Sequence, residues 1–225
     1  MIVFDRVSKK YNQGTVALDN VSFKIDKGEF VFLVGPSGAG KTTILRLLLA
    51  QILPTKGKII VDGQEVIKIP RKKIPDLRKK IGTVFQDFKL LFDRTVAENV
   101  GIALEIKGLK PEEIKKETKK TLSLVGLEDK DKLFPVQLSG GEFQRTVIAR
   151  AIITKPKILF ADEPTGNLDL DTSWQIINLL KQINKMGTTV IISTHNIEIV
   201  DCLKQRVIRL DKGKIKSDKT KAKYK

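Results

Sequence analysis

The sequence predicts an α/β protein with a largely parallel, doubly wound sheet. Several apolar runs are continuous rather than alternating, for example FVFLV (30–34), KILFA (157–161) and TTVIIS (188–193), as expected of strands that are covered on both faces. Helical patterns lie between these runs, and strands that alternate with helices form parallel sheets. Strand patterns stop between about residues 88 and 155, which predicts a helical insertion.

Local signals place the other strands and one helix. Further strand patterns are IVFDRV (2–7), VSFKI (21–25), KIIVD (58–62) and IGTVF (81–85). The clearest helical pattern is KPEEIKKETKKTLSLVG (110–126). Pro111 suits its first position, the two glutamates that follow suit its positive end, and Gly126 ends it.

Composition restricts the class of protein. The chain has 225 residues, 41% of them hydrophobic, and no apolar run approaches the roughly 20 residues that cross a bilayer. The first residues lack the layout of a secretory signal, and the single cysteine, Cys202, fits a reducing compartment. We therefore expect the protein to stay in the cytoplasm.

The net charge of +16 predicts attraction to an anionic partner such as nucleic acid, a membrane surface or phosphates. Residues 212–225 contain seven lysines and one aspartate. Two interpretations of this basic C-terminal tail stay open. It is either a solvated end of the chain or a segment that rests on an anionic membrane surface.

The stretch GPSGAGKTT follows the strand FVFLV and precedes a helical pattern, which is the context of a phosphate-binding loop. Glycines let successive backbone N–H groups face phosphate oxygens, and the following helix adds its positive end. Lys41 can reach the β- and γ-phosphates, and the Thr42 hydroxyl can ligate Mg²⁺. The predicted binding residues are Gly35, Pro36, Ser37, Gly38, Ala39, Gly40, Lys41, Thr42 and Thr43.

Two carboxylates follow the strand KILFA, where ligands bind in open α/β sheets. Asp162 can hold Mg²⁺, directly or through a water. Glu163 can orient and deprotonate an attacking water as a general base.

Residues 138–142 read LSGGE, ahead of the helical pattern FQRTVIARAII. Ser-x-x-Glu is a capping box, which explains Ser139 and Glu142 but not Gly140 and Gly141. Each glycine in a first helical turn costs up to about 1 kcal/mol relative to alanine. We interpret the pair as a place where a ligand approaches the backbone closely, so that the segment forms a second anion site.

Taken in order, GPSGAGKT, LSGGE, ILFADE, NLD and STH resemble the ABC ATPase family, over about residues 1–215. The resemblance implies ATP and Mg²⁺ as ligands and the fold of an ABC nucleotide-binding domain. This fold is a P-loop NTPase with a mixed, mainly parallel core sheet, an antiparallel β subdomain and an inserted helical subdomain. It divides the chain into a nucleotide-binding core with the β subdomain (1–87 and 156–211), a helical signature subdomain (88–155) and the tail (212–225).

The resemblance also implies a homodimer and assigns further residues. In the family two domains meet head to tail, and the LSGG segment of one closes on ATP held by the other. Tyr11 matches the aromatic residue that stacks on adenine, although packing against the first strand is the alternative. Gln86 matches the glutamine that senses Mg²⁺ and the γ-phosphate, and Asp169 matches the aspartate that communicates across the dimer.

His195 is the only histidine, at the end of a strand pattern. By itself it is most simply a partly exposed polar residue without a task. The resemblance implies that His195 is the switch histidine, which hydrogen-bonds the γ-phosphate and helps to position the attacking water.

Within the family, VFQDFKLLFDRTVAENV (84–100) is similar to the cell-division ATPases. That resemblance implies a subunit at the cytoplasmic face of the membrane, which couples dimer closure to an FtsX-like polytopic membrane protein and so to control of cell-wall hydrolysis. Residues 87–107 are the implied contact segment. The apolar side chains of Phe88, Leu90, Leu91 and Phe92 either form a groove for a partner helix or pack the helical insertion.

Three positions depart from the family pattern. Asn196 stands where aspartate usually follows the histidine, Phe92 where many relatives have proline, and Glu142 where the general signature has glutamine. None of them removes a catalytic group. Asn196 bears on the turnover rate, and Phe92 bears on the shape of the partner groove.

Two other functions are considered. An ATPase of the lipoprotein-release or macrolide-export type shares GNLD and LSGGE, but the 84–100 stretch and TSW at Trp174 argue against it. A nucleic-acid ATPase of the repair type would need a long coiled coil between Lys41 and Ser139, where there is no room for one. Aromatic residues interleaved with basic ones are also lacking, so we expect no nucleic-acid partner.

Overall fold

The structure is a computed structural model, and it describes residues 1–12, 14–85 and 89–220. The strands are β1 (Ile2–Lys10), β2 (Val16–Ile25), β3 (Phe30–Val34), β4 (Lys56–Val61), β5 (Gln64–Glu65), β6 (Ile81–Val84), β7 (Ile158–Asp162), β8 (Thr189–Thr194), β9 (Arg206–Asp211) and β10 (Lys214–Lys219). The α-helices are α1 (Lys41–Leu48), α2 (Ile74–Arg78), α3 (Val96–Ile106), α4 (Pro111–Leu124), α5 (Gly140–Ile152), α6 (Leu170–Lys185) and α7 (Ile197–Leu203). None of these helices is both long enough and apolar enough to span a membrane.

The larger sheet confirms the predicted parallel α/β core. Its six strands lie in the order β10-β9-β3-β8-β7-β6, and every neighbouring pair is parallel except β10 with β9. All five residues of β3 and of β7 are buried, as predicted for strands covered on both faces.

A second sheet has four antiparallel strands in the order β2-β1-β4-β5. It supplies the antiparallel part of the expected fold.

Two apolar cores lie on opposite faces of the larger sheet. Along β3, Phe32 and Val34 join the core that contains α3, α5 and α6, whereas Val31 and Leu33 join the core that contains α1 and the antiparallel sheet. Alternate residues of a strand point to opposite faces, so the continuous apolar run of β3 serves both cores.

The predicted helical insertion consists of α3, α4 and α5. In α4, Pro111 is in the first turn, Glu112 and Glu113 follow it, and Gly126 lies just beyond the C-cap, as predicted. The subdomain boundaries at residues 87/88 and 155/156 stay predictions.

The segment predicted as a basic tail differs from that prediction. Residues 214–219 form β10, which pairs with β9 across a turn in which Lys212 and Gly213 both have positive φ. Arg206 of β9 donates two hydrogen bonds to the Asp218 carboxylate, at 2.8 and 2.7 Å. The strand forms because this turn and this ion pair compensate for its lysine-rich composition. Only residues 221–225 lie outside the described part of this segment.

Candidate functional site

Three neighbouring strands of the larger sheet end at one edge and bring distant segments together. Val34 of β3 pairs with Thr194 of β8, and Ser193 of β8 pairs with Asp162 of β7. The residues that follow these strand ends include Gly35, His195 and Glu163. This edge is where ligands bind in open α/β sheets.

The loop between β3 and α1 requires glycine at two positions. A Cβ atom on Gly35 would collide with the Leu210 carbonyl oxygen, and one on Gly40 would lie 2.8 Å from the Ala17 carbonyl oxygen. Gly40 has φ of 109° and is the N-cap of α1, but it supplies no side-chain hydrogen bond. The first N–H groups of α1 are therefore open to an anion.

Lys41 is buried at the mouth of this loop. Its ammonium group donates to the carbonyl oxygens of Gly35 at 2.6 Å and Pro36 at 3.2 Å. Its Nζ atom is also 3.9 Å from Oε1 of Glu163. The ammonium thus lies between the loop and the second carboxylate of the β7 end.

The Asp162 carboxylate is held between two hydroxyl groups. The Thr42 hydroxyl donates to Oδ2 at 3.2 Å, and the Ser193 hydroxyl donates to Oδ1. Among the described residues, no group of three or more His, Cys, Asp or Glu side chains could hold a metal ion alone. One hydroxyl and one carboxylate nevertheless fit Mg²⁺, because this ion keeps several waters and takes further ligands from phosphates.

Glu163 and His195 form a pair beside Lys41. The Nδ1 atom of His195 lies 2.9 Å from Oε1 of Glu163. The Glu163 side chain is 11% exposed and that of His195 is 68% exposed, so the carboxylate is inside the cleft and the imidazole lies at its rim. Glu163 has φ of 49°, a conformation that is uncommon for a residue with a side chain and that clusters at functional sites.

These side chains line one cleft with a volume of about 610 Å³. Its wall consists of the phosphate loop, the ends of β7 and β8, the loop after Glu163, the start of β2 with the residue before it, and one residue of α5: Thr15, Val16, Ala17, Pro36, Ser37, Gly38, Ala39, Gly40, Lys41, Thr42, Thr43, Gln144, Asp162, Glu163, Pro164, Gly166, Asn167, Leu168 and His195. The structure therefore brings together the predicted phosphate loop, both carboxylates and the histidine.

The four residues of the predicted second anion site do not line this cleft. They form a complete capping box on α5, in which the Glu142 carboxylate accepts from the Ser139 N–H at 2.8 Å and from the Ser139 hydroxyl at 2.9 Å. The Ser139 N–H holds the pKa of Glu142 below its usual value.

Both glycines of this segment lie close to other residues of the same chain, and the sequence did not reveal these contacts. A Cβ atom on Gly141 would lie 2.6 Å from Thr172 Cγ2, and one on Gly140 would lie 3.3 Å from Leu168 Cδ2. Close packing of α5 against α6 therefore accounts for Gly141 without a ligand. The anion site itself stays a prediction.

Three other predicted residues lie elsewhere. Tyr11 is not part of the cleft wall, although Thr15 of the same turn is, and the Lys9 ammonium lies 5.5 Å from the Tyr11 ring centre. Asp169 is the N-cap of α6, and the hydrogen bond from Thr172 lowers its pKa. Gln86 lies outside the described residues.

The three departures from the family pattern have structural roles. Asn196 is the N-cap of α7 and accepts from the Ile199 N–H at 3.2 Å. The 58%-exposed Phe92 packs against Phe143 of α5, with ring centres 6.1 Å apart. Glu142 closes the capping box.

Sequence reasoning missed two side chains of this site. Ser193 orients Asp162, and the buried Gln144 reaches the cleft wall from α5. Ser193 could have been noticed because it precedes His195 at a strand end. No local pattern indicates that Gln144 is turned toward the cleft.

The sequence profile of the ABC transporter family matches residues 18–166. Curated relatives include cell division ATP-binding proteins FtsE. The Bacillus subtilis protein is 50% identical over 224 residues, which cover 100% of this chain and 98% of that protein. The Streptococcus pneumoniae protein is 50% identical over 218 residues (97% and 95%), and the Escherichia coli K12 protein is 46% identical over 213 residues (95% and 96%).

Solved structures agree with the fold. The dimeric structure of a bacterial ABC transporter cassette superposes with a TM-score of 0.90 at 36% identity, covering 100% of both chains. A dimeric post-hydrolysis state of an ATP-binding cassette bound to ADP and Pi superposes with a TM-score of 0.89, also at 36% identity and 100% of both chains.

Proposed function

The chain belongs to the ABC transporter family, and from that premise we propose that it is the ATP-binding and ATP-hydrolysing subunit of a membrane complex that acts in cell division. The relatives described above carry the cell-division name, which favours this function over lipoprotein release or macrolide export. One observation carries the mechanism: the cleft contains the phosphate loop and both carboxylates but not the LSGGE segment.

Hydrolysis is divided among residues at three strand ends. The phosphate loop and Lys41 bind the phosphates, and Thr42 and Asp162 would hold Mg²⁺, which would neutralise charge on the phosphates. Glu163 accepts a proton from the attacking water. Because Nδ1 of His195 faces Glu163, its Nε2 atom is left to contact the γ-phosphate. Tyr11, Gln86 and Asp169 keep the roles implied by the family pattern.

Two copies meet head to tail, so that Ser139–Glu142 of one copy closes the cleft of the other. The segment is available for this role because it is exposed or half-buried and lies outside its own cleft. Solved cassettes that are 36% identical to this chain are dimeric. Closure and reopening of such a dimer convert the ATP cycle into motion at the membrane.

Glu163→Gln tests this mechanism. Removing the general base should slow hydrolysis by about 10²- to 10⁴-fold, while ATP binding remains. Dimers should therefore accumulate at saturating Mg-ATP and be absent with ADP, as measured by light scattering. Glu112→Gln, an exposed glutamate of α4, is the matched control and should behave as wild type. A Glu163→Gln protein that stays monomeric with Mg-ATP, even beside its membrane partner, contradicts the proposal.

The membrane partner is proposed to bind the helical region. Leu90 is buried in the core, so it packs the insertion and cannot receive a partner, whereas Leu91, Phe92 and Ile106 are exposed. Phe88 and Asp87 lie outside the described residues. A groove of about 730 Å³ runs between α3 and α4.

This groove has an apolar floor and an acidic rim. Its floor includes Leu109, Ile114 and Leu122, and its rim carries Glu98, Glu105, Glu128 and Asp131 against Lys115 and Lys119. An acidic rim is unusual in a chain of net charge +16. Cytoplasmic loops of polytopic membrane proteins carry excess lysine and arginine. A basic amphipathic helix of an FtsX-like protein therefore fits this groove by helix-in-groove docking.

Charge reversal on the rim tests this site. Glu105→Lys with Glu128→Lys should remove co-purification of the membrane partner, because like charges would face each other. ATP-dependent dimers of the Glu163→Gln protein should still form. The control, Asp26→Lys with Asp76→Lys, changes two exposed aspartates outside α3 and α4 and should retain the partner. Unchanged co-purification by the rim variant would exclude the groove.

The lysines of the tail that follow β10 are proposed to contact an anionic membrane surface. Truncation after Asp211 would remove β10, so the informative truncation is after Thr220, which removes Lys221, Lys223 and Lys225. Each lysine near such a surface contributes roughly 1 kcal/mol, so binding to anionic vesicles should weaken while hydrolysis is retained. Unchanged vesicle binding would identify the tail as a solvated end.

A further inference from the structure

Gln144 is a buried polar residue between the two halves of the proposed ATP site. It lies in the second turn of α5, five residues after Ser139, and is only 1% exposed. Its side chain forms part of the cleft wall together with Glu163 and the loop that follows Glu163. One side chain of the signature helix therefore reaches the hydrolytic part of its own cleft.

The amide of Gln144 is not satisfied in this structure. Its Nε2 atom has no hydrogen-bond partner among the residues that the structure describes. A buried donor without an acceptor costs free energy comparable to a lost hydrogen bond. Such unpaired groups in folded proteins require an explanation, and a second conformation that supplies the acceptor is one.

The loop beside Gln144 contains suitable acceptors. Within residues 163–168, the Gly166 N–H donates to the Glu163 carbonyl at 3.2 Å and the Leu168 N–H donates to the Thr165 carbonyl at 3.3 Å. The carbonyl groups of Pro164, Gly166 and Asn167 accept no such bond within the described residues. All three residues line the cleft with Gln144, so a small shift of the loop can pair the amide with one of them.

We infer that Gln144 is a positioning residue that couples the signature helix to the loop carrying Glu163. In the closed dimer its amide donates to a carbonyl of residues 164–167 and fixes that loop, and with it the Glu163 carboxylate. The partner's ATP reaches the N-terminus of α5, and Gln144 transmits this contact to the cleft of its own chain. This inference rests on the proposed dimer, and it adds a residue whose role is neither phosphate binding nor proton transfer.

Gln144→Met separates a positioning role from a structural one. Methionine has similar length and no amide, so the ATP-free monomer should melt at the same or a higher temperature, because an unpaired buried donor has been removed. ATP affinity of the monomer should not change. The kcat for hydrolysis should fall by about tenfold to hundredfold, because a misplaced catalytic group costs that much, with little change in KM.

A second readout follows the loop directly. In the Glu163→Gln background, Mg-ATP should slow amide hydrogen exchange of residues 165–168, and Gln144→Met should abolish this slowing. The matched control is Gln182→Met, a glutamine on the exposed side of α6, which should behave as wild type in every measurement.

The outcomes are distinguishable. If Glu163→Gln forms no ATP-dependent dimer, the proposed function fails, and the inference about Gln144, which rests on that dimer, fails with it. If that dimer forms and Gln144→Met retains wild-type kcat, only the inference about Gln144 is overturned. A fall in kcat that is matched by a lower melting temperature and weaker ATP binding of the monomer would assign Gln144 a structural role and also overturn the inference.

Discussion

The phosphate loop and the LSGGE segment both precede a helix N-terminus, but the two ends are built in opposite ways. The N-cap of α1 is Gly40, which supplies no side-chain hydrogen bond, and no acidic residue lies in the first turn. The N-cap of α5 is Ser139, which forms a complete capping box with Glu142. The first end is open to an anion, whereas the second is already occupied by a carboxylate of its own chain.

This difference explains how the two ends can act at different times. The first end requires an anion to complete it and can bind phosphate in the monomer. The second end is capped by its own chain, so it needs no ligand to fold, and in the proposed dimer it meets one only when a partner arrives. This difference supports the proposed mechanism, in which the loop at residues 35–43 provides nucleotide affinity and residues 139–142 provide dimer closure.

Substitutions that disrupt the two helix ends separately give the largest expected effects. Lys41→Ala removes a charge-assisted contact to phosphate and should weaken ATP binding by the monomer about 10- to 100-fold. Ser139→Arg should leave that affinity unchanged and abolish ATP-dependent dimers of the Glu163→Gln protein, because a bulky side chain fills the contact. Equilibrium dialysis and light scattering measure the two properties. Equal loss of monomer affinity in both variants would break the comparison.

The phosphate-loop end could be predicted from the sequence because its determinants are local. A buried strand, glycines and a helix start follow one another within residues 30–48. The proposed catalytic pair could be placed for a related reason, since Glu163 and His195 each follow a strand end and parallel strands end at one edge.

The signature end was interpreted less well because its determinants are distant in sequence. Gly141 is required by contact with Thr172 on α6, which no pattern around residues 138–142 reveals. The burial of Gln144 likewise has no local signal in the sequence. The strand β10 was not predicted because its lysine-rich composition indicated a tail, although a turn precedes the strand and an ion pair joins it to Arg206. Pairings of this kind become visible only when the elements are assembled.

A substitution of His195, the proposed switch histidine, tests the same comparison on the side of the phosphate loop. His195→Ala should lower the rate of hydrolysis by about 100-fold or more, because Glu163 and the attacking water lose an orienting partner. Monomer ATP binding should survive, since Lys41 and the loop are unchanged. Steady-state phosphate release and ATP titration measure both properties. Wild-type turnover would show that the contact between His195 and Glu163 has no role in hydrolysis.

Asp169 tests whether a helix cap near the signature helix also serves the dimer. Asp169→Ala removes the N-cap of α6 and should lower the free energy of unfolding, whereas Asp169→Asn retains a good cap and should cost little. Asp169→Asn should nevertheless reduce hydrolysis if the carboxylate communicates between subunits. Chemical denaturation and steady-state ATPase assays separate the two roles. Full activity of Asp169→Asn would assign the residue to capping alone.

The smallest effect concerns the carboxylate that occupies the α5 end. The folded-state pKa of Glu142 is lowered, chiefly by the Ser139 N–H, so the folded state binds this proton less readily than the unfolded chain does. The resulting stabilisation is present above the unfolded pKa of about 4.3 and is lost as pH falls through the lower, folded pKa.

Glu142→Gln can keep the capping box without a titrating group. As the pH falls below 4.3, the free energy of unfolding of this variant should therefore decrease by up to about 1 kcal/mol less than that of the wild type. This is the usual size of a cap interaction. Urea titrations between pH 3 and pH 6 measure both profiles. Identical profiles for the two proteins would mean that the carboxylate does not stabilise the α5 end, and the contrast with the open end of α1 would then lose its electrostatic basis.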